Sequence, residues 1–205
     1  MFKIAVLVSG GGSNLQAIID CIKNEYLNCT IEMVICDRSN TYAEERAKAN
    51  NIDVVVLDRK VFKKGLSNEV LKYTENKVEL IVLAGYLSIL SGRILEVFKH
   101  KIVNIHPSLI PAFCGDGLYG LKVHENAINY GVKYSGCTVH FVDEGTDTGA
   151  IILQRVVEVL EGDTPEILQK RILVEEHKAL PEAIKLISEN RIHAHGRKVT
   201  RVSEA

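Results

Sequence analysis

Continuous apolar runs alternate with amphipathic stretches through the first half of the chain. Residues 3–8 are apolar after the initial lysine, and from residue 15 to residue 22 apolar side chains recur at i, i+3, i+4 and i+7. A continuous run is typical of a strand buried on both faces of a sheet, and the second spacing is that of one helix face. The same patterns predict strands at 31–36, 52–58, 80–85 and 102–106, and helices at 41–51, at 67–76 and after a capping Ser91, the last with Ile94, Leu95, Val97 and Phe98 facing the core.

This alternation of short strands and helices predicts an α/β fold. Because the connections are short, we expect a single doubly wound, mainly parallel sheet with helices on both faces. In such a sheet, ligands bind beyond the carboxyl ends of the strands. The segments that follow the predicted strands are therefore the first place to look for a site.

The second half of the chain predicts an irregular loop, a strand pair and a long helix. The loop covers residues 108–121, a helix at 123–130 ends at Gly131, and strands at 137–142 and 150–159 should pair antiparallel across an acidic loop. Thr164 and Pro165 start a helix that Pro181 should kink or interrupt. We expect residues 1–190 to form one domain, with 191–205 as its C-terminal tail, a final strand or arm.

Charge and cysteine content narrow the function classes. The 205 residues carry a net charge of −1 and the pI is about 6.7, so no charged field indicates nucleic acid or anionic lipid as a partner. No signal-peptide pattern opens the sequence, and no apolar run has the length of a membrane span. Five cysteines without a CxxC pair favour reduced thiols. We therefore expect a cytoplasmic protein.

A glycine-rich turn, Ser-Gly-Gly-Gly-Ser-Asn at residues 9–14, joins the first strand to the first helix. Its backbone N–H groups and the positive end of the helix point at one place, which favours an anion. Leu15 stands where a dinucleotide fingerprint needs glycine or alanine, and the Gly-Lys-Ser/Thr of a P-loop is absent. The turn thus predicts a seat for one phosphate, with a merely tight turn as the alternative. Asp37, at the end of the second strand, supports the alternative of a nicotinamide cofactor.

Two polar side chains, Asn104 and His106, stand on an otherwise apolar strand that ends at Pro107. Residues two apart on a strand project to the same face, so an amide donor lies beside an imidazole. A satisfied core asparagine and a surface histidine would explain them equally well. Set beside the acidic loop at 143–149, however, the pair supplies an amide, an imidazole and a carboxylate, which suit acyl transfer between two bound substrates without a protein nucleophile.

Other reaction classes find weak support. No Gly-x-Ser-x-Gly elbow is present, and Ser108 follows a proline in a loop. Neither Cys114 nor Cys137 has a local group that would activate it. We expect no metal site. His106, His124 and His140 lack short ligand spacing, and the pair His193 and His195 has no further ligands beside it.

Three motifs resemble those of a known enzyme family. Residues 104–111, Asn-Ile-His-Pro-Ser-Leu-Ile-Pro, resemble the Asn-x-His-Pro-Ser-Leu-Leu-Pro signature of folate-dependent formyltransferases. Residues 9–18 and 139–149 are similar to those of the branch that formylates phosphoribosylglycinamide (glycinamide ribonucleotide) in purine synthesis. The resemblance runs from the N-terminus to about residue 186, and it implies a Rossmann-like formyltransferase fold.

The resemblance implies a reaction and a set of site residues. The formyl group of 10-formyltetrahydrofolate, a co-substrate, would pass to the amine of phosphoribosylglycinamide in de novo IMP biosynthesis, with no metal, no nicotinamide, and a monomer or homodimer as the enzyme. Asn104, His106 and Asp147 match the catalytic trio: the first two would stabilise the oxyanion, and Asp147 would hold His106 and relay the proton. The nucleotide would meet Gly11, Gly12, Ser13, Asn14 and Glu176. The folate would meet Leu87, Ser88, Ile89, Leu90, Asn104, Val142, Asp143 and Lys64.

The sequence also departs from the family pattern. Ser88 stands where many relatives carry arginine, so that contact would use the backbone alone. An arginine near the folate tail is replaced around Gly65, where Lys63 and Lys64 are adjacent. Three alternatives remain within or beside the family: a nucleotide-binding oxidoreductase, a silent binding protein and a formyltetrahydrofolate hydrolase. A transfer-RNA formyltransferase is expected to carry a further basic C-terminal domain, and a sugar-nucleotide formyltransferase would lack the glycine loop.

Overall fold

The computed structural model describes residues 1–202 of the chain. The strands are β1 (Phe2–Val8), β2 (Cys29–Cys36), β3 (Val54–Val56), β4 (Leu80–Leu83), β5 (Ile102–His106), β6 (Tyr134–Phe141), β7 (Ile151–Glu158), β8 (Ile192–His195) and β9 (Lys198–Arg201). The helices are α1 (Ser13–Lys23), α2 (Tyr42–Ala49), α3 (Arg59–Phe62), α4 (Leu66–Thr74), α5 (Arg93–Val97), α6 (Leu121–Tyr130) and α7 (Pro165–Ser188), with a 3₁₀ turn at Lys63–Gly65.

The described residues form a seven-stranded sheet in the order β3-β2-β1-β4-β5-β6-β7 and a two-stranded sheet of β8 and β9. Neighbouring strands from β3 to β5 are parallel, and β6 pairs antiparallel with β7. The strand order reverses at β1, which is the mark of a doubly wound sheet. The predicted fold class, a mainly parallel doubly wound α/β sheet, is confirmed.

Two compact units can be distinguished within the chain. One comprises residues 1–104 with 142–144, and the other comprises residues 105–141 with those from 145 onward. The predicted division into a 1–190 domain and a tail stays a prediction. None of the described helices combines the length and the hydrophobicity that crossing a membrane requires.

In the first unit, the apolar runs become central strands. The last five residues of β1 are buried, as are all four residues of β4, because a strand between two parallel neighbours has both faces covered. Helices pack on this sheet through one apolar face, and Val70 of α4 and Ile94 of α5 are fully buried there. The central strands are thus buried on both faces and the helices on one face, as the sequence periodicity predicted.

Three local predictions in the first unit are wrong. Strand β3 is shorter than the predicted 52–58, because Asp58 caps α3 by accepting from the Lys60 N–H at 2.7 Å. Ser91 does not cap α5, whose N-cap is Gly92. Val97 does not face the core, since 39% of its surface is exposed.

In the second unit, α6 ends at Gly131 with φ 81°, and Thr164 caps α7, both as predicted. Helix α7 then runs for 24 residues through Pro181, so the interruption that was predicted as the alternative to a kink does not occur. A proline removes only one intrahelical hydrogen bond, and Pro181 and its neighbour Leu180 are buried, so packing retains the helix. The tail forms the β8–β9 hairpin; positions 203–205 of the predicted tail lie outside the described residues.

Candidate active site

The glycine-rich turn packs closely against α2. Gly12 precedes α1 with φ 68°, and a Cβ there would lie 2.9 Å from the Cβ of Ala43. The backbone oxygen of Gly10 accepts from the N–H of Ala43 at 3.2 Å, and that of Gly11 accepts from Nε of Arg46 at 2.9 Å. The carbonyl groups of Gly10 and Gly11 therefore point toward α2. Because the C=O and N–H of a trans peptide point in opposite directions, the following N–H groups point away from α2. This polarity supports the predicted anion site.

The carboxylate of Asp37 is not accessible to the hydroxyl groups of a ribose. The residue is fully buried, its Oδ2 accepts from the Ser88 hydroxyl at 2.6 Å, and Nη1 of Arg59 lies 3.6 Å from the same oxygen. A ribose-binding acid has to present a carboxylate oxygen to the ligand, whereas Asp37 has no exposed surface. The interpretation of Asp37 as a cofactor residue is therefore wrong, and the oxidoreductase alternative loses its main support.

The segment after β4 presents apolar side chains to solvent. Leu87 and Ile89 are 43% and 67% exposed, whereas Leu90 is buried. Ser88 projects from the same segment toward Asp37. An irregular segment with exposed apolar groups suits an aromatic ligand face, so the structure is consistent with the predicted folate segment.

Other predicted ligand contacts lie on three elements. Lys64 is exposed in the 3₁₀ turn. Val142 is half-buried, with its N–H bonded to the oxygen of Ile102 at 2.9 Å, and Asp143 is exposed. Glu176 is buried on α7, which is unusual for a glutamate and strengthens a prediction that had little support from sequence.

His106, Asp147 and His140 form the chemical centre of the second unit. Nδ1 of His106 lies 3.5 Å from Oδ2 of Asp147, and Nε2 of His140 lies 3.6 Å from Oδ1. The N–H of Gly115 donates to Oδ2 at 3.1 Å. The structure thus brings Asp147 and His106 together as predicted, and it adds His140, which the sequence indicated only as a possible metal ligand. The available signal in the sequence was a polar histidine near the end of an apolar strand.

Asp147 reaches its partners from a left-handed backbone conformation. Its φ is 57°, which aspartate tolerates better than most residues. The loop is tight: a Cβ on Gly145 would lie 2.1 Å from Oγ1 of Thr148. Thr146 also donates its hydroxyl to Asp116 at 2.8 Å. These contacts fix the direction of the carboxylate.

Hydrogen bonding defines the tautomer of His106. Nε2 lies 3.0 Å from the backbone oxygen of Phe113, an obligate acceptor, so Nε2 carries a proton. Nδ1, which faces the carboxylate of Asp147, is the atom that gains or loses the second proton. The Phe113 oxygen therefore holds the ring of His106 through Nε2, and the charge of the ring changes at Nδ1.

Burial and charge oppose each other at this centre. Burial lowers the pKa of His106 below its ordinary value, and the charge of Asp147 and the Phe113 oxygen only partly counter it. Burial alone would raise the pKa of Asp147, but the hydrogen bond from His140, the charge of His106 and the Gly115 N–H outweigh it, so that pKa is lowered. The result at neutral pH is an ionised carboxylate beside a neutral imidazole.

Asn104 lies two residues before His106 on β5, and its side chain is half-buried among buried neighbours. Alternation along the strand gives Asn104 and His106 the same face. Among residues 1–202, no three His, Cys, Asp or Glu side chains are arranged to hold a metal ion. The histidine zinc sites considered from sequence are therefore not formed by the described residues.

A cavity of about 760 Å³ lies elsewhere in the first unit. It is lined by apolar residues of α1 and β2, among them Ile19, Ile22 and Ile31, and by Asn50 and Asn51. Cys29, the first residue of β2, also lines it, so the cavity opens near the amino ends of the strands. It contains none of the predicted site residues, and in doubly wound sheets ligands bind at the opposite ends.

Comparison with known proteins places the chain in one family. The family model described as formyl transferase matches residues 2–184. A chloroplastic phosphoribosylglycinamide formyltransferase of Vigna unguiculata is 43% identical over 93% of this chain, and that of Bacillus subtilis (strain 168) is 40% identical over 90%. The chain spans 62% of the length of the Vigna relative and 94% of that of the Bacillus relative.

A solved structure gives the same result. The glycinamide ribonucleotide transformylase 1 of Symbiobacterium toebii superposes with a TM-score of 0.93 and 42% identity, covering 99% of this chain and 95% of that one. The family match covers most of the sequence, and the Symbiobacterium structure shares the fold over 99% of this chain. The chain belongs to the formyl transferase family.

Proposed function

We propose that the protein transfers the formyl group of 10-formyltetrahydrofolate to the amine of phosphoribosylglycinamide, in the synthesis of IMP. The observation that carries the proposal is the carboxylate of Asp147 facing Nδ1 of His106, two residues from Asn104 on the signature strand. The names of the relatives from Vigna and Bacillus support the choice of acceptor. No protein nucleophile, metal or nicotinamide takes part in the proposed reaction.

The first step forms a carbon–nitrogen bond. The lone pair of the glycinamide nitrogen attacks the formyl carbon, and the electrons of the carbonyl double bond move to its oxygen. Asn104 donates its amide N–H to this oxyanion, and preorganised donors of that kind are effective because they need not reorient during reaction. The tetrahedral intermediate then carries a negative oxygen and a positively charged nitrogen.

The second step moves one proton and breaks one bond. The proton leaves the attacking nitrogen through water, with the carboxylate of Asp147 relaying it, while Asp147 also holds His106 beside the oxyanion. As the oxygen re-forms its double bond, the bond to N10 of the folate breaks. N10 takes the proton, directly or through water, and the products are the N-formyl nucleotide and tetrahydrofolate.

We propose the following contacts for the two substrates. The phosphate would accept from the backbone of Gly11, Gly12 and Ser13, with Asn14 beside it, and Glu176 would meet the ribose or the amine. The folate ring would lie on the segment after β4 and on Val142 and Asp143, mostly through backbone groups. Lys64, an exposed cation, would meet the anionic folate tail. We propose small-molecule substrates only and a cytoplasmic location.

The direct test measures both products in a metal-free buffer. Purified protein is mixed with 10-formyltetrahydrofolate, with and without phosphoribosylglycinamide, and tetrahydrofolate release is followed by absorbance while mass spectrometry detects the formylated nucleotide. We expect equal amounts of both products, only when the acceptor is present. Release of tetrahydrofolate without acceptor would identify a hydrolase, and no release under either condition would refute the proposal.

A further inference from the structure

Residues 87–91 combine exposed apolar side chains with a firmly held backbone. Their irregular conformation has no helical or strand hydrogen bonds of its own. Even so, Leu87 and Ile89 project 43% and 67% of their surface into solvent. Exposed apolar groups on a fixed segment indicate a surface that is prepared for a ligand. The question is which residues fix it.

Two buried serine hydroxyl groups hold the ends of the segment. The N–H of Leu87 donates to Oγ of Ser9 at 2.7 Å, and the N–H of Ser91 donates to Oγ of Ser67 at 3.0 Å. Ser9 follows β1 and Ser67 belongs to α4, so the two ends depend on different elements. Both serines are almost fully buried, and their hydroxyl groups are shielded from competing water.

The middle of the segment is held by a buried carboxylate. The hydroxyl of Ser88 donates to Oδ2 of Asp37 at 2.6 Å. Asp37 is fully buried, its Oδ1 has no hydrogen-bond partner among the described residues, and Arg59 reaches Oδ2 only at 3.6 Å. A buried carboxylate with few donors binds each of them strongly, since leaving it unpaired is costly. The short Ser88 contact is therefore the strongest of the three anchors.

We propose that Asp37 is a positioning residue that acts through Ser88 to hold residues 87–90 in the conformation that receives the pterin ring of the folate. The role rests on the proposed function, because the folate defines what the segment receives. Because Asp37 is fully buried, it contacts neither substrate in this proposal. Its effect on the reaction is to fix the backbone groups of Leu87 and Ile89 before the ligand arrives, which lowers the entropic cost of binding.

The experiment compares Ser88→Ala with Ser88→Thr, which keeps the hydroxyl, and with Ser39→Ala, an exposed serine outside the three anchors. Because Ser88→Ala removes a hydrogen bond to a buried carboxylate, the KM for 10-formyltetrahydrofolate should rise on the order of tenfold, which corresponds to about 1.4 kcal/mol of binding free energy. The KM for phosphoribosylglycinamide should change less than twofold. Ser88→Thr should restore most of the folate affinity, and Ser39→Ala should match the wild type.

Two readouts without turnover separate this proposal from the proposed function. Hydrogen exchange of the Leu87 and Ser91 amides should accelerate in Ser88→Ala and not in Ser39→Ala. Calorimetric titration with tetrahydrofolate should show the same tenfold weakening. If Ser88→Ala has the same amide exchange rates and the same affinity for tetrahydrofolate as the wild type, the proposed role of Asp37 is overturned. This holds whether or not the wild type transfers the formyl group. A wild-type protein that binds tetrahydrofolate but transfers no formyl group would refute only the proposed function.

Discussion

Burial of His124 should make the folded protein less stable in mild acid than at neutral pH. The side chain is 1% exposed on α6, and its Nδ1 has no hydrogen-bond partner among the described residues. Burial, with a smaller contribution from the charge of His106, lowers the pKa of His124 from 6.5 to about 4. In the unfolded chain the imidazole recovers its ordinary pKa. Between these two values the unfolded chain binds more protons, so stability falls as pH falls.

The size of the effect follows from the two pKa values. One pKa unit corresponds to about 1.4 kcal/mol, so complete protonation costs the folded state about 3 kcal/mol. At pH 5 most of this difference is already present, about 2 kcal/mol, whereas at pH 7.5 it is close to zero. Since small proteins are stable by about 5–15 kcal/mol, the change is readily measured.

Urea unfolding at pH 7.5 and at pH 5 tests the expectation with His124→Gln. Glutamine keeps a polar nitrogen near the position of Nε2 but does not titrate, so the variant should lose about 2 kcal/mol less than the wild type between the two pH values. His195→Gln, at an exposed position on β8, should keep the wild-type difference. Equal losses in wild type and His124→Gln would refute the reasoning, whatever the variant's stability at pH 7.5.

Three further predictions concern the site itself. Asn104→Ala should lower turnover by about 10²–10³, the usual cost of one oxyanion donor, in a steady-state assay of a variant with the wild-type circular dichroism spectrum; near-normal turnover would assign the oxyanion to another donor. Asp147→Asn should lower the pKa of His106 further, because the carboxylate charge raises it; an NMR titration of the imidazole that shows a higher pKa would contradict this. Gly12→Ala should destabilise the fold by about 1–3 kcal/mol, through positive φ and overlap with Ala43, and an unchanged urea midpoint would refute that.

The secondary structure was predicted best where the chain is most periodic. The apolar runs of β1 and β4 and the amphipathic spacing of α1 appear in the structure within a few residues of their predicted bounds. Errors arose where a local contact decided the outcome. The Asp58 cap shortened β3, and burial of Pro181 kept α7 continuous. The Asp58 cap is a side-chain hydrogen bond over two residues, and the burial of Pro181 depends on packing; a periodic pattern of apolar positions contains neither.

Candidate residues were recognised more easily than their environments. The strand with Asn104 and His106 and the loop with Asp147 stood out because polar groups interrupt apolar patterns. Asp37 was misjudged, since a carboxylate at a strand end looks the same in sequence whether it faces a ligand or is enclosed. His140 was undervalued for a related reason: its role depends on the 3.6 Å contact with Asp147, which only the folded loop creates.

By itself the sequence determined the fold class, the family motifs and the chemical identity of the candidate groups, because each depends on local residue type and spacing. Tertiary structure alone decided which groups meet and in what charge state. The distance from His106 to Asp147, the tautomer set by the Phe113 oxygen and the lowered pKa values all arise from segments that approach in space and exclude water. Coulombic energies depend on the distances between groups and desolvation energies on their burial, and neither quantity can be obtained from the local sequence.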